Sequence, residues 1–147
     1  MRLWHYKLIT NGLIPTSQLI AQWRELNSIY NKNINHILID YVKEYPKHDL
    51  LAYSLLVMGE MNRRGYKFRT TKNFDEYFDG VHLLEVGNLN TFIPFKNHHT
   101  FRYLLQCFYN LQEKFDRGQK DFGIDLYRSL EDFVRKEEKG DKIWQTI

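Results

Sequence analysis

The sequence predicts one mainly α-helical domain over residues 1–147, a bundle of about four to five helices joined by irregular surface loops. Three observations carry that prediction. Apolar residues recur at the three-and-four spacing of a helix in several stretches; no stretch of similar length alternates apolar with polar as a strand does; and no internal repeat or low-complexity tract breaks the pattern. With 147 residues, 43% of them hydrophobic, the chain can fill a single core.

The first helix opens at Pro15-Thr16-Ser17, where Thr16 or Ser17 offers a capping oxygen, and carries Leu19, Ile20, Trp23, Leu26 and Tyr30 on one face. Trp23 belongs to that apolar stripe and is expected in the core; Trp4 and Tyr6 precede the stripe and are less constrained. Asn31 to Asn35 interrupt the helix. A second segment, His36 to Tyr45, ends at Pro46, because the residue before a proline resists helical geometry.

Asp49 is the expected cap of a third, central helix, DLLAYSLLVMGEMNRR, with Leu50, Leu51, Leu55, Leu56 and Met58 on its apolar face and Gly65 as the left-handed stop. Within 73–97, NFDEYFDG reads as a short helical turn and VGNLNTFIPF as a loop. Helical pattern resumes near His99 with Phe101, Leu104, Leu105, Phe108 and Leu111, closed by Gly118. A last amphipathic segment, Ile124 to Glu138, carries Leu126, Tyr127, Leu130 and Phe133 and is expected to stop at Gly140.

Composition narrows the function classes. Cys107 is the one cysteine, so no internal disulfide forms, and its place between Leu104 and Phe108 suggests a buried, inert thiol. A reducing, cytoplasmic setting is expected, with no leader and no membrane span. There is no GxxxxGK[ST], GxGxxG, HExxH or GxSxG motif. Adjacent His98 and His99 would point about 100° apart on a helix and could not both face one ion. No metal and no cofactor are expected.

The net charge of +3 is unevenly distributed: residues 1–75 hold 11 Lys/Arg against 6 Asp/Glu, and residues 76–147 hold 10 against 12. A basic front half suits a polyanionic partner. Its densest basic run is Arg63, Arg64, Lys67, Arg69 and Lys72.

The stretch MRLWHYKLI, followed by QLIAQWREL, resembles the pyrimidine-dimer DNA glycosylases of the endonuclease V type, small mainly helical enzymes that react through their amino-terminal amine. The family's terminus is followed by arginine, as Met1 is by Arg2. Its Arg-Glu-Leu matches Arg24-Glu25-Leu26, and its histidine twelve residues after that arginine matches His36. Its Glu-x-x-x-Arg-Gly-aromatic ending of the central helix matches Glu60 through Arg64-Gly65-Tyr66. These matches span residues 1–66, with a looser likeness of helical pattern to about residue 118.

The resemblance implies a DNA-repair glycosylase with abasic-site lyase activity acting on pyrimidine dimers in double-stranded damaged DNA, as a monomer. It implies that the Met1 amine and Glu25 are catalytic, and that Arg2, Arg24, His36, Arg63, Arg64, Lys67 and Arg69 contact DNA or its phosphates. By helical pattern alone, Glu25 lies well away from the Leu19/Trp23/Leu26 stripe and reads as a solvated glutamate.

Several features depart from the pattern. Arg2 is too bulky for ordinary methionine removal, so the expected nucleophile is the amine of Met1 itself. The segment between Ile9 and Gln18 is longer, Ser28 stands where a further arginine is expected, and residues 67–97 do not match clearly. The alternatives are a non-catalytic helical DNA-binding module and a helical protein-interaction domain.

Overall fold

The structure, a computed structural model, describes residues 1–31, 38–88 and 91–146. Among them are six α-helices and no strand: α1 (Tyr6–Thr10), α2 (Thr16–Asn31), α3 (Lys47–Arg63), α4 (Lys72–Tyr77), α5 (Phe101–Asp116) and α6 (Ile124–Thr146). Two short 3-10 segments, Asp40–Glu44 and Leu83–Val86, interrupt the loops. The mainly α fold is the one expected, with α2, α3, α5 and α6 as its long elements. No helix among the described residues is long and apolar enough to cross a membrane.

Helix α2 packs on α3 and α4, α1 packs on α3, and α5 pairs with α6 as a hairpin. The stripe foreseen on α2 is buried at Leu19, Trp23, Leu26 and Tyr30. Tyr30 meets Phe74, Tyr77 and Phe78 of the α4 region at ring-centre distances of 5.2, 5.8 and 5.3 Å, and its hydroxyl hydrogen-bonds Ser54 on α3. Trp4 is also buried. Cys107 is buried as expected, and burial raises its thiol to about 11, in keeping with an inert side chain.

The helix ends differ from the sequence reading in instructive ways. Neither Thr16 nor Ser17 caps α2 with its own side chain. The Ser17 N–H and hydroxyl both donate to Asp121 Oδ2, at 2.8 and 2.7 Å, so the orphan amide is satisfied from across the molecule. Helix α3 starts two residues before Asp49, behind Pro46, and the Asp49 carboxylate instead accepts the Phe95 N–H at 2.8 Å. Helix α1 was not foreseen; five residues are too few for a periodic signal, and His5 Nδ1 caps it by accepting the Lys7 N–H.

Gly65, at φ 82°, ends α3, and Gly118, at φ 79°, ends α5, as expected. Thr100 caps α5. Gly140 does not stop α6, which continues to Thr146. A glycine inside a helix costs only about 1 kcal/mol against alanine, and the Glu138–Lys142 ion pair spans it with an i,i+4 contact of 3.4 Å.

Candidate active site

Residues 1–4 run between α2, α3 and α5, held by backbone hydrogen bonds to three side chains. Gln22 of α2, fully buried, makes the most of them. Its amide nitrogen donates to the Arg2 carbonyl at 3.0 Å and to Glu25 Oε2 at 3.1 Å. Its carbonyl oxygen accepts the Trp4 N–H at 2.8 Å and the Tyr53 hydroxyl at 2.9 Å. The single Tyr53 proton is shared between Gln22 and the Trp4 carbonyl, 2.7 Å from the hydroxyl, and Tyr103 of α5 donates to the Leu3 carbonyl at 2.5 Å.

The first residues of the chain therefore lie beside the Glu25 carboxylate. Since one nitrogen bonds both the Arg2 carbonyl and Glu25, those two groups are neighbours. Glu25 is half-buried, not the fully solvated glutamate that the helical pattern alone suggests. The Arg2 guanidinium sits 5.8 Å from the centre of the Tyr103 ring, within cation–π reach. Burial, and then the neighbouring Cys107 and Tyr41, push the Tyr103 phenol up, so it stays protonated and able to donate.

Behind this terminal segment lies a buried histidine pair. His5 Nε2 donates to the His99 carbonyl at 2.9 Å; His99 Nδ1 accepts the Tyr6 N–H at 3.1 Å, and its Nε2 meets the Tyr41 hydroxyl at 2.9 Å. Burial lowers His5 to about 4 and takes His99 well below the ordinary histidine range. Both rings are therefore neutral and serve as hydrogen-bonding spacers. His98 and His99 occupy a turn before α5, not a helix, and His98 faces Tyr45 and Glu44. No cluster of three or more His, Cys, Asp or Glu side chains able to hold a metal occurs among the described residues.

The expected DNA-contacting residues fall into different settings. Arg24 is exposed beside Glu25 on α2. Lys67 and Arg69 are exposed on either side of Phe68, which packs edge-on against Trp23 at 5.4 Å, so they stand next to α2. His36 lies outside the described residues.

Arg63 and Arg64 converge on the buried Glu60. Arg63 is 65% exposed and binds both Glu60 oxygens at 2.5 and 2.7 Å. Arg64 is 14% exposed, binds Glu60 at 2.9 Å and continues to Thr16 Oγ1 at 3.2 Å and the Ile14 carbonyl at 2.9 Å. Its guanidinium thus closes the turn ahead of α2 and does not face outward as the phosphate ligand expected of it. Burial raises the Glu60 carboxyl, but the hydrogen bonds from Arg63 and Arg64 outweigh that and hold it below the ordinary range.

Gln22 and Tyr103 were not singled out from sequence. The signal for Gln22 was present: it stands three residues after Leu19 and four before Leu26, on the core-facing stripe, where an amide must find partners. Nothing local marks Tyr103, whose partner Leu3 is 100 residues away.

A model of the family described as pyrimidine dimer DNA glycosylase matches residues 1–74, half of the 147-residue chain and the part that contains the terminal segment, Gln22, Glu25 and the basic run. No curated protein and no solved structure matches the chain. A glycosylase family implies a DNA partner, in agreement with the exposed Arg24 on α2 and the exposed Lys67 and Arg69 next to that helix. The chain belongs to the pyrimidine dimer DNA glycosylase family.

Proposed function

We propose that this protein excises dimerised pyrimidines from double-stranded DNA and then cleaves the abasic site, with the Met1 amine as nucleophile and Glu25 as acid/base group. The observation that carries the reading is the shared Gln22 amide, which supports the Arg2 backbone and the Glu25 carboxylate on one nitrogen.

In this scheme the amine nitrogen bonds to C1′ of the damaged nucleotide as the glycosidic bond breaks, and the base leaves with a proton. Opening of the C1′–O4′ bond gives an imine, a covalent route that activates the sugar carbon through the protein's own nitrogen. Glu25 stabilises the developing positive charge and takes the C2′ proton, whereupon the C3′–O bond breaks and the 3′ phosphate departs. An α-amine suits this work because, with a reference pKa of about 7.7–8 against about 10.4 for lysine, more of it is neutral at neutral pH. Arg2, Arg24, Lys67 and Arg69, with the exposed Arg63, hold the phosphates around the reacting nucleotide.

Borohydride reduction during reaction with a dimer-containing or an abasic duplex is expected to leave a protein–DNA adduct at Met1, located by peptide mass. Glu25→Gln is expected to abolish strand cleavage while leaving duplex affinity equal or tighter. Protein with a demonstrated free terminus that traps neither duplex would overturn the reading; salt-dependent binding without cleavage would mark a non-catalytic DNA-binding relative.

A further inference from the structure

We infer that Gln22 is a positioning residue for the amine reaction, because one buried amide supports both the terminal segment that carries the nucleophile and the carboxylate that works with it. The inference rests on the proposed amine chemistry.

A glutamine side chain has two donor hydrogens on one nitrogen and two acceptor sites on one oxygen. All four sites have a partner here: the Arg2 carbonyl and Glu25 on the nitrogen, the Trp4 N–H on the oxygen, and on the oxygen's second lone pair the Tyr53 hydroxyl, whose single proton is shared with the Trp4 carbonyl. With both ends saturated and the residue at 0% exposure, the amide has no freedom to rotate without leaving a buried polar group unpaired. The Arg2 and Trp4 anchors fix the direction of the terminal segment, which leaves only the backbone torsions of Arg2 and the ψ of Met1 between the anchored Arg2–Leu3 peptide and the amine. The remaining donor fixes Glu25 against the same support.

Reacting groups must meet within about 3–3.5 Å, and a misplacement of about 1 Å costs on the order of 100-fold in rate. An uncharged amide suits the task, since it brings no ionic charge into the core and no competing base beside the amine.

The test compares Gln22→Met, which keeps side-chain length and removes all four bonds, with Tyr30→Phe, which removes a buried hydrogen bond to Ser54 away from the terminus. Both should melt earlier than the parent. At a temperature where all are folded, Gln22→Met is expected to form the borohydride-trapped adduct on an abasic duplex about 100-fold more slowly in single turnover, with duplex Kd changed less than about threefold. Tyr30→Phe should trap at the parent rate.

A folded Gln22→Met that traps at the parent rate, or whose loss is matched by a loss of affinity, overturns the inference while leaving the amine chemistry intact. If Gln22→Met does not fold, hydrogen exchange of the parent decides. A Trp4 amide protected like the α3 core supports the tether, and a rapidly exchanging one overturns it. A parent protein that traps nothing overturns the amine chemistry and the inference together.

Discussion

Two buried polar residues organise the amino-terminal half, and they differ in charge and in what they hold. Gln22 is neutral and ties the first residues of the chain to Glu25. Glu60 is charged and gathers Arg63 and Arg64, and through Arg64 the turn that leads into α2. The pairing of charge with function runs opposite to expectation. Arg64, which by its place in the basic run looks like a DNA ligand, is engaged inside the protein, while the side chain that holds the proposed nucleophile and base together carries no charge. A buried ion pair, once formed, is costly to break from one side, so Glu60 is suited to holding the fold. A neutral amide can sit beside an amine and a carboxylate without perturbing either through its own charge, so Gln22 is suited to holding the site.

The largest expected separation of the two comes from Glu60→Ala, which leaves a mostly enclosed Arg64 unpaired. It should cost about 2–4 kcal/mol, seen as a fall of roughly 10 °C in melting temperature, with no change in trapping rate where the variant remains folded. Gly12→Ala should be the next largest. Gly12 lies at φ 64°, and an added Cβ would stand 2.8 Å from Glu60 Oε2 and 2.9 Å from Arg63 Nη2, so a loss of about 1–3 kcal/mol is expected in denaturant titration.

Acid should act on the histidine pair before it acts on Glu60. His5 falls from its usual 6.5 to about 4 in the folded state, so the unfolded chain binds protons first and stability declines as pH falls from about 6.5 toward about 4. Glu60, held below the usual value of 4.5, contributes stability above that value and loses it as pH falls through its lower folded value. Melting temperature against pH should show both parts, and Glu60→Gln should remove only the lower one.

The smallest effects concern DNA. Arg69→Ala should weaken duplex binding and reduce the salt slope by about one phosphate contact, measured by fluorescence anisotropy at several salt concentrations. Arg64→Ala should leave that slope unchanged while lowering the melting temperature. A salt slope equally reduced by both would erase the distinction between enclosed and exposed arginines.

Long amphipathic elements were legible in the sequence. The stripes of α2 and α5, and the left-handed stops at Gly65 and Gly118, follow from side-chain spacing and backbone freedom alone. Residue pairs that meet across the fold were not. Asp49 as partner of Phe95, Asp121 as partner of Ser17, and the direction in which Arg64 points depend on contacts that no local window contains. The family resemblance brought out Arg2, Arg24 and Glu25, since those residues stand at recognisable spacings. Gln22 escapes a reading that follows only the apolar residues of α2, although an amide on a core face is itself a request for partners.

The cap that Asp121 places on Ser17, together with Tyr103 on Leu3 and His5 on His99, spans 104, 100 and 94 residues. Helix α2 and the terminal segment are thus completed by segments made late in synthesis. Long-range closures of this kind carry the loop entropy that slows folding, so the amino terminus should reach its final place only after α5 and the connection that follows it have arrived. A fragment ending near residue 74 would contain every residue the family model matches and still lack the closures that hold the terminus in position.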